Sequence, residues 1–241
     1  MAPDFLSAAA LAARHIGVEL DKEQLHAFLR YQKLLAEANK RMNLTAISEG
    51  DVWEAHFMDS LTLFQTDKIG RDSNVADIGA GAGFPGLPLK IVRPRIVLHL
   101  IEANAKKAGF LRNVCEELSL SGARIHQTRA ETAAREPDLR ERMDVVVSRA
   151  VANLPVLLEY ALPLCRPGGW FLAMKGPKAR SEMEAAAKAA DKLGGRIDSV
   201  FEPFGQAEGV ERVIVMVEKT GYASDKYPRR VGVPTKRPLG G

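Results

Sequence analysis

Residues 75–86 read V-A-D-I-G-A-G-A-G-F-P-G, and the fold turns on how this run is read. An apolar strand closes at Asp77, a glycine-rich turn follows, and a helix can begin near Gly86. Gly79, Gly81 and Gly83 let the backbone turn sharply and approach a ligand with no side chain in the way. Such a turn at the carboxyl end of a first strand suits a nucleotide-like cofactor, and two readings compete. Gly81, Gly83 and Gly86 satisfy G-x-G-x-x-G, the dinucleotide fingerprint, but this frame starts late and puts Phe84 and Pro85 inside the turn. Asp77, Gly79 and Gly81 satisfy D-x-G-x-G, with a carboxylate beside the turn. That frame suits S-adenosylmethionine, which has no pyrophosphate to cradle but carries an ammonium and a sulfonium.

Working outward, strand-like apolar runs at 75–78, 96–101, 124–127, 145–147 and 170–174 alternate with helical stretches, clearest at 105–118, 154–164 and 179–193. Alternation of this kind predicts a parallel sheet covered on both faces. Two further runs, 199–204 and 213–218, lie close together across a polar, glycine-containing loop and read as a terminal antiparallel hairpin. That hairpin and Asp77 favour S-adenosylmethionine over NAD. The expected fold is α/β: a class I S-adenosylmethionine-dependent methyltransferase, Rossmann-like, with a mostly parallel seven-stranded sheet and an N-terminal helical extension. Residues 1–70 form that extension, 71–220 the methyltransferase domain and 221–241 a basic tail. Within the extension, Leu25, Phe28, Leu29, Leu35 and Ala36 approximate an amphipathic helix. Asp21 and Gln24 suit a capping box, and a second helix is expected over 49–64, opened by Ser48.

Glu102 closes the second strand, where a carboxylate can accept both ribose hydroxyls of either cofactor. Ala130 leaves room for a base ring, and Glu131 suits its exocyclic amine or, equally, the dipole of a helix start. After the fourth strand, Arg149 suits a methionine carboxylate, guanine O6 or a salt bridge holding its loop. Lys175 suits a phosphate or plain solvent. His56 and Asp59, three apart, either line the cofactor mouth or serve capping and packing. No N-P-P-Y or D-P-P-Y run is present, which argues against methylation of an adenine amine. Neither cysteine stands in a Pro-Cys or Thr-Cys context, which argues against covalent attack on a pyrimidine. Direct transfer to an acceptor with no proton to remove remains, and guanine N7 qualifies.

The chain has 241 residues, 46% hydrophobic, enough for one α/β domain with an extension. No apolar run approaches the roughly 20 residues that span a bilayer. Cys115 and Cys165 read as reduced core residues of a cytoplasmic protein, and the scattered histidines offer no metal set. The net charge of +4 is uneven: residues 219–241 hold six basic residues and one acid, so the other 218 residues sum to −1. A basic tail with Tyr222 and Tyr227 suggests nucleic acid as partner, or a merely solubilising, disordered terminus.

Several segments together resemble the RsmG/GidB family of bacterial 16S rRNA (guanine-N7)-methyltransferases. They are N-L-T at 43–45, H-F-M-D-S-L at 56–61, D-I-G-A-G-A-G-F-P-G-L-P-L at 77–89, R-A-E at 129–131, S-R-A-V-A at 148–152, K-G at 175–176 and Y-P-R-R-V-G-V-P-T-K-R-P-L at 227–239. The resemblance implies transfer of methyl from S-adenosylmethionine to N7 of guanine 527, in the 530 loop of 16S rRNA in the small ribosomal subunit. It implies that Gly79, Phe84, Glu102, Ala130, Glu131 and Arg149 contact the cofactor, beside Asp77 and Gly81. Arg149, Arg129 and Lys175 would position the reaction rather than move protons. Lys226, Arg229, Arg230, Lys236 and Arg237 would meet RNA. A monomer without metal or membrane contact is expected. The rival readings are a non-catalytic ribosome-binding or assembly protein that retains a cofactor pocket, and an NAD-dependent oxidoreductase.

Overall fold

A computed structural model describes residues 2–149, 151–204 and 211–240. One sheet holds β1 (Asn74–Ile78), β2 (Val97–Ile101), β3 (Ala123–His126), β4 (Met143–Arg149), β5 (Cys165–Lys175), β6 (Gly195–Phe201) and β7 (Val213–Lys219). Their order is β3-β2-β1-β4-β5-β7-β6. The first five run parallel, and β7 is antiparallel to both β5 and β6, as the alternation and the closing hairpin predict. The strand order reverses between β1 and β4, so a crevice opens at their carboxyl ends. There the register sets Asp77 opposite Val147 and Ile78 opposite both Ser148 and Ile101, which brings Asp77, Glu102 and Arg149 to one edge.

The helices are α1 (Ala2–His15), α2 (Lys22–Met42), α3 (Asp59–Leu61), α4 (Gly86–Val92), α5 (Ala105–Glu117), α6 (Ala130–Ala133), α7 (Leu154–Ala161), α8 (Met183–Lys192) and α9 (Val233–Lys236). Alternate residues of each strand feed two cores. Val75, Val145 and Val147 pack with Phe28, Tyr31, Leu35, Phe57 and Leu61, so the N-terminal helices share a core with one face of the sheet. Ala76, Val146 and Phe171 pack on the other face with α7, α8, Tyr227 and Leu239. Helix starts follow local chemistry. Asp21 and Gln24 close the expected capping box on α2, at 2.8 and 3.0 Å. Asn104 accepts from the first amides of α5, and Asn153 from Val156 of α7.

Four expected elements differ. Residues 49–64 do not form one helix: tight turns at Glu49–Asp51 and Thr62–Thr66 flank a wide π-helical turn at Trp53–Met58, which leads into α3. Ser48 bonds the Asp51 carboxylate rather than capping a backbone amide. β5 starts at Cys165 because residues 166–169 bulge inside the ladder, where a Cβ at Gly169 would stand 2.8–2.9 Å from the carbonyls of Asp144, Arg166 and Met143. β6 runs earlier than expected and stops before Pro203, which has no N–H to give the ladder. The helix expected over 179–193 begins at Met183, after a tight turn at Pro177–Glu182. Most of the loop expected to join the closing hairpin, at 205–210, lies outside the described residues.

The described C-terminal residues are not a disordered tail. Tyr227 and Leu239 are buried, and Arg135 and Arg140 donate to the carbonyls of Pro228, Tyr227 and Ala223 at 2.5, 2.8 and 3.1 Å. Two charges counted as tail charges belong to the fold. Lys219 is fully buried at the end of β7, bonded to Leu193 O and paired with Glu141. Arg229 turns inward onto Glu159, with bonds of 2.6–3.1 Å.

Candidate functional site

The glycine turn is built by its neighbours. Gly79, Gly81 and Gly83 take φ of +67°, +59° and +100°, where a side chain is strained. A Cβ at Gly86 would sit 2.8 Å from Asp77 Oδ2, the atom that accepts from Gly86 N–H at the same distance. Asp77 is thus the buttress between strand and helix; it is fully buried, and burial pushes its carboxyl up to about 7. The expectation that Asp77 faces a ligand directly is corrected to this extent: Oδ2 is committed to the backbone, and Oδ1 is buried without a partner, as is Ser148 Oγ on the neighbouring strand.

Gly81 N–H donates to Glu102 Oε2 at 2.9 Å, and Asn104 N–H to Oε1 at 2.7 Å. The turn and the start of α5 therefore fix the Glu102 carboxylate at the rim of a cavity of about 400 Å³, within the usual range for small-ligand sites. Gly79, Glu102, Arg129, Ala130 and Glu131 all line it, so the residues expected from three strand ends converge on one space. Two larger cavities, about 720 and 570 Å³, touch neither the turn nor either acid, and chemistry rather than size identifies the site.

Arg149 is not in that cavity wall. Its side chain is 11% exposed and donates to Asp59 Oδ2 (2.9 Å), Ala55 O (3.2 Å) and His56 Nδ1 (2.9 Å). Of the three readings, the salt bridge is the one the structure displays, and two of the five guanidinium N–H groups stay uncommitted. Because arginine only donates, His56 Nδ1 must accept, so Nε2 carries the proton and donates to Thr45 Oγ1 at 2.7 Å. Burial, aided by the Arg149 charge, lowers His56 to about 4, so the ring is neutral at pH 7. Asp59 also binds Arg212, at 2.8 and 2.9 Å. Two guanidinium groups thus share the Asp59 carboxylate. Phe84 lies between the rings of Tyr31 and His56, with the Arg149 guanidinium 5.0 Å from its centre; it supports the cluster and does not line the cavity.

Lys175 is neither solvated nor free for phosphate. Its ammonium donates to Ala152 O and pairs with Glu182 at 3.0 Å, and Glu182 also accepts from Leu154 N–H, so the lysine pins the loop after β4. Glu131 is likewise engaged: Oε1 accepts from Gly232 N–H at 2.9 Å. Both cysteine thiols are pushed up by burial, Cys115 to about 11 and Cys165 to about 12, which suits packing and not nucleophilic attack. Among the described residues no His, Cys, Asp and Glu group could hold a metal, and no helix is long and apolar enough to cross a membrane.

Sequence reading missed Tyr160, Thr235, Glu159, Glu182 and Arg212. Glu159 left a signal: it is a lone acid in L-P-V-L-L-E-Y-A-L-P-L, and a buried acid needs a cation. Arg212 left none.

The sheet order, the closing hairpin and the glycine turn against Glu102 define a class I S-adenosylmethionine-dependent methyltransferase. Solved structures with this fold include a mutant of MtNAS in complex with S-adenosylmethionine (TM-score 0.54, 18% identity, 81% of this chain and 76% of that one). Another is M. jannaschii TYW2 in complex with AdoMet (TM-score 0.51, 16% identity, 73% and 78%). The chain belongs to the GidB family, rRNA small subunit methyltransferase G, whose profile matches residues 24–208. Proteins named ribosomal RNA small subunit methyltransferase G from Pelotomaculum thermopropionicum and Desulfitobacterium hafniense are 45% and 43% identical to it. They align over 94% and 95% of this chain and 95% of each relative.

Proposed function

We propose that the protein transfers a methyl group from S-adenosylmethionine to N7 of a guanine in 16S rRNA, guanine 527 by family resemblance. The observation that carries the N7 reading is the state of the Arg149 cluster. His56 holds its proton on Nε2 and spends its lone pair on Arg149, and Asp59 is shared by two guanidinium groups, so neither is free as a base. A ring nitrogen with an in-plane lone pair requires none. S-adenosylmethionine supplies, when bound, an electrophilic methyl group on a sulfonium. The pocket fits it: a glycine turn without Cβ atoms and a fixed carboxylate at Glu102 on its rim, with unpartnered buried oxygens on Asp77 and Ser148 behind that turn. Glu102 accepts from ribose hydroxyls, while Gly79, Ala130 and Glu131 border the base. Arg149 orients the acceptor or the methionine carboxylate with its two uncommitted N–H groups. Arg129, exposed at the cavity rim, and Lys175, through its loop, position the reactants.

Lys226, Arg230, Lys236 and Arg237 are exposed and have no acidic partner among the described residues, which suits them to RNA phosphates; Arg229 is withdrawn from that set by Glu159. We read residues 1–70, 71–220 and 221–241 as extension, catalytic domain and basic segment of a cytoplasmic monomer. The test is incubation with labelled S-adenosylmethionine and either 30S particles or 16S rRNA lacking the methyl group, with label mapped by cleavage at 7-methylguanine. Label at one guanine N7 is expected. No label on either substrate would sink the enzyme reading, and label on an exocyclic amine would sink the N7 assignment.

A further inference from the structure

We propose that the C-terminal segment around Val231–Gly232–Thr235 is the wall against which the cofactor's adenine packs, and that this wall sets cofactor affinity. The inference rests on the cofactor reading above and adds a part of the chain that the glycine turn does not predict.

The segment is anchored rather than draped. Arg229 is clamped on the buried Glu159, and Arg135 holds the carbonyl of Pro228 at 2.5 Å. From that anchor the chain passes along the cavity. Gly232 N–H donates to Glu131 Oε1 at 2.9 Å, and Thr235 Oγ1 is 3.1 Å from the Tyr160 hydroxyl. The first bond fixes the orientation of the Glu131 carboxylate, which also engages the Tyr160 hydroxyl and keeps lone pairs to accept from an exocyclic amine.

A second observation is independent of these bonds. Val151 and Val231 are 38% and 54% exposed, among the few large apolar side chains left exposed in the described residues, and both line this one cavity. They come from distant parts of the chain, one after β4 and one in the terminal segment. Branched apolar groups left open on the walls of a polar-rimmed cavity call for an apolar occupant. A purine ring supplies flat apolar faces and an amine edge, which matches two valines and one oriented carboxylate.

The test is binding of S-adenosylhomocysteine, measured by calorimetry on the full chain, with V231D and V231A. Val231 is exposed, so the melting temperature without ligand should stay unchanged in both. V231D should weaken binding by about tenfold or more, because a carboxylate must then lose water against an apolar ring. V231A should weaken it about threefold. Hydrogen exchange on the unmodified chain gives a readout free of substitution: amides across 230–236 should become protected when S-adenosylhomocysteine binds. Affinity within twofold of the parent in V231D, or unchanged exchange across 230–236, would overturn the wall while leaving the cofactor reading intact. A parent chain that does not bind S-adenosylhomocysteine at all would overturn both.

Discussion

The Arg149 cluster and the Glu102–Glu131 cavity stand at the same edge of the sheet and are built on opposite plans. The cluster is mostly filled by its own parts: Arg149 and Arg212 share Asp59, His56 accepts from Arg149, and Phe84 stacks on His56 beside the Arg149 guanidinium, which keeps two N–H groups open. The cavity is left open: two exposed valines and two carboxylates with spare lone pairs, held by backbone amides and, at Glu131, by the Tyr160 hydroxyl as well. A saturated cluster fixes a geometry before any substrate arrives, and an unsaturated cavity waits for a ligand to complete it. Substitutions in the first should therefore act on stability and turnover, and those in the second on affinity.

The sharpest break of this contrast is Asp59→Ala, which takes the shared carboxylate from Arg149 and Arg212, whose side chains are 11% and 19% exposed. It should cost about 3–5 kcal/mol in urea unfolding. A loss under about 1 kcal/mol would mean the cluster is not the saturated unit described. Arg149→Ala should lower kcat/KM for methyl transfer to 16S rRNA by about a hundredfold or more, and the S-adenosylhomocysteine affinity measured beside it tells the two roles apart: unchanged if Arg149 orients the acceptor, weakened if it holds the methionine carboxylate. Arg149→Lys should not rescue it, since one ammonium cannot reach Asp59, His56 and Ala55 O together.

Asp77 tests the boundary between the two regions. The folded protein holds its proton more tightly than the unfolded chain, because burial raises the carboxyl from 3.8 to about 7. Its contribution to stability is thus complete below pH 3.8 and is lost as pH rises through about 7. Without ligand, Asp77→Asn should flatten the stability profile between those limits, by up to about 1.4 kcal/mol per pH unit relative to the parent. Parallel profiles would refute the buried-acid description. Glu102→Gln should weaken S-adenosylhomocysteine about tenfold and also lower the melting temperature, because the amide loses one of the two acceptors that hold Gly81 N–H and Asn104 N–H. The smallest effect is expected from Arg230, Lys236 and Arg237 changed together to Ala. RNA binding should fall severalfold, and its salt slope should drop by about 0.7 for each phosphate left without a cation. An unchanged slope would remove these residues from the RNA surface.

What is legible in the sequence is what is local. The glycine turn, Glu102 and the strand–helix alternation each announce themselves within a few dozen residues, because backbone freedom, capping and periodicity are short-range properties. His56 and Asp59 are visible as neighbours on one turn. Their partners are not, since Arg149 comes to Asp59 across 90 positions and Arg212 across 153. The C-terminal segment misleads for the same reason. Composition counts Lys219 and Arg229 as solvent charges, and only the packing of α7 shows that Glu159 takes one of them inward. Glu131 keeps its place at the third strand end, yet its bond with Gly232 spans 101 positions that no motif records.

The wide turn at Trp53–Met58 sets the phase of everything after it. A π turn bonds i to i+5 and so carries about one residue more than an α turn. Removing one residue there would let the stretch close as a regular helix and rotate α3 by roughly 100° about its axis. Backbone hydrogen bonding would improve, and the Asp59 carboxylate would swing away from both arginines. Irregularity at this point is thus an indexing device, and a shortened chain would gain a better helix while losing the alignment that joins its N-terminal helices to the active edge of the sheet.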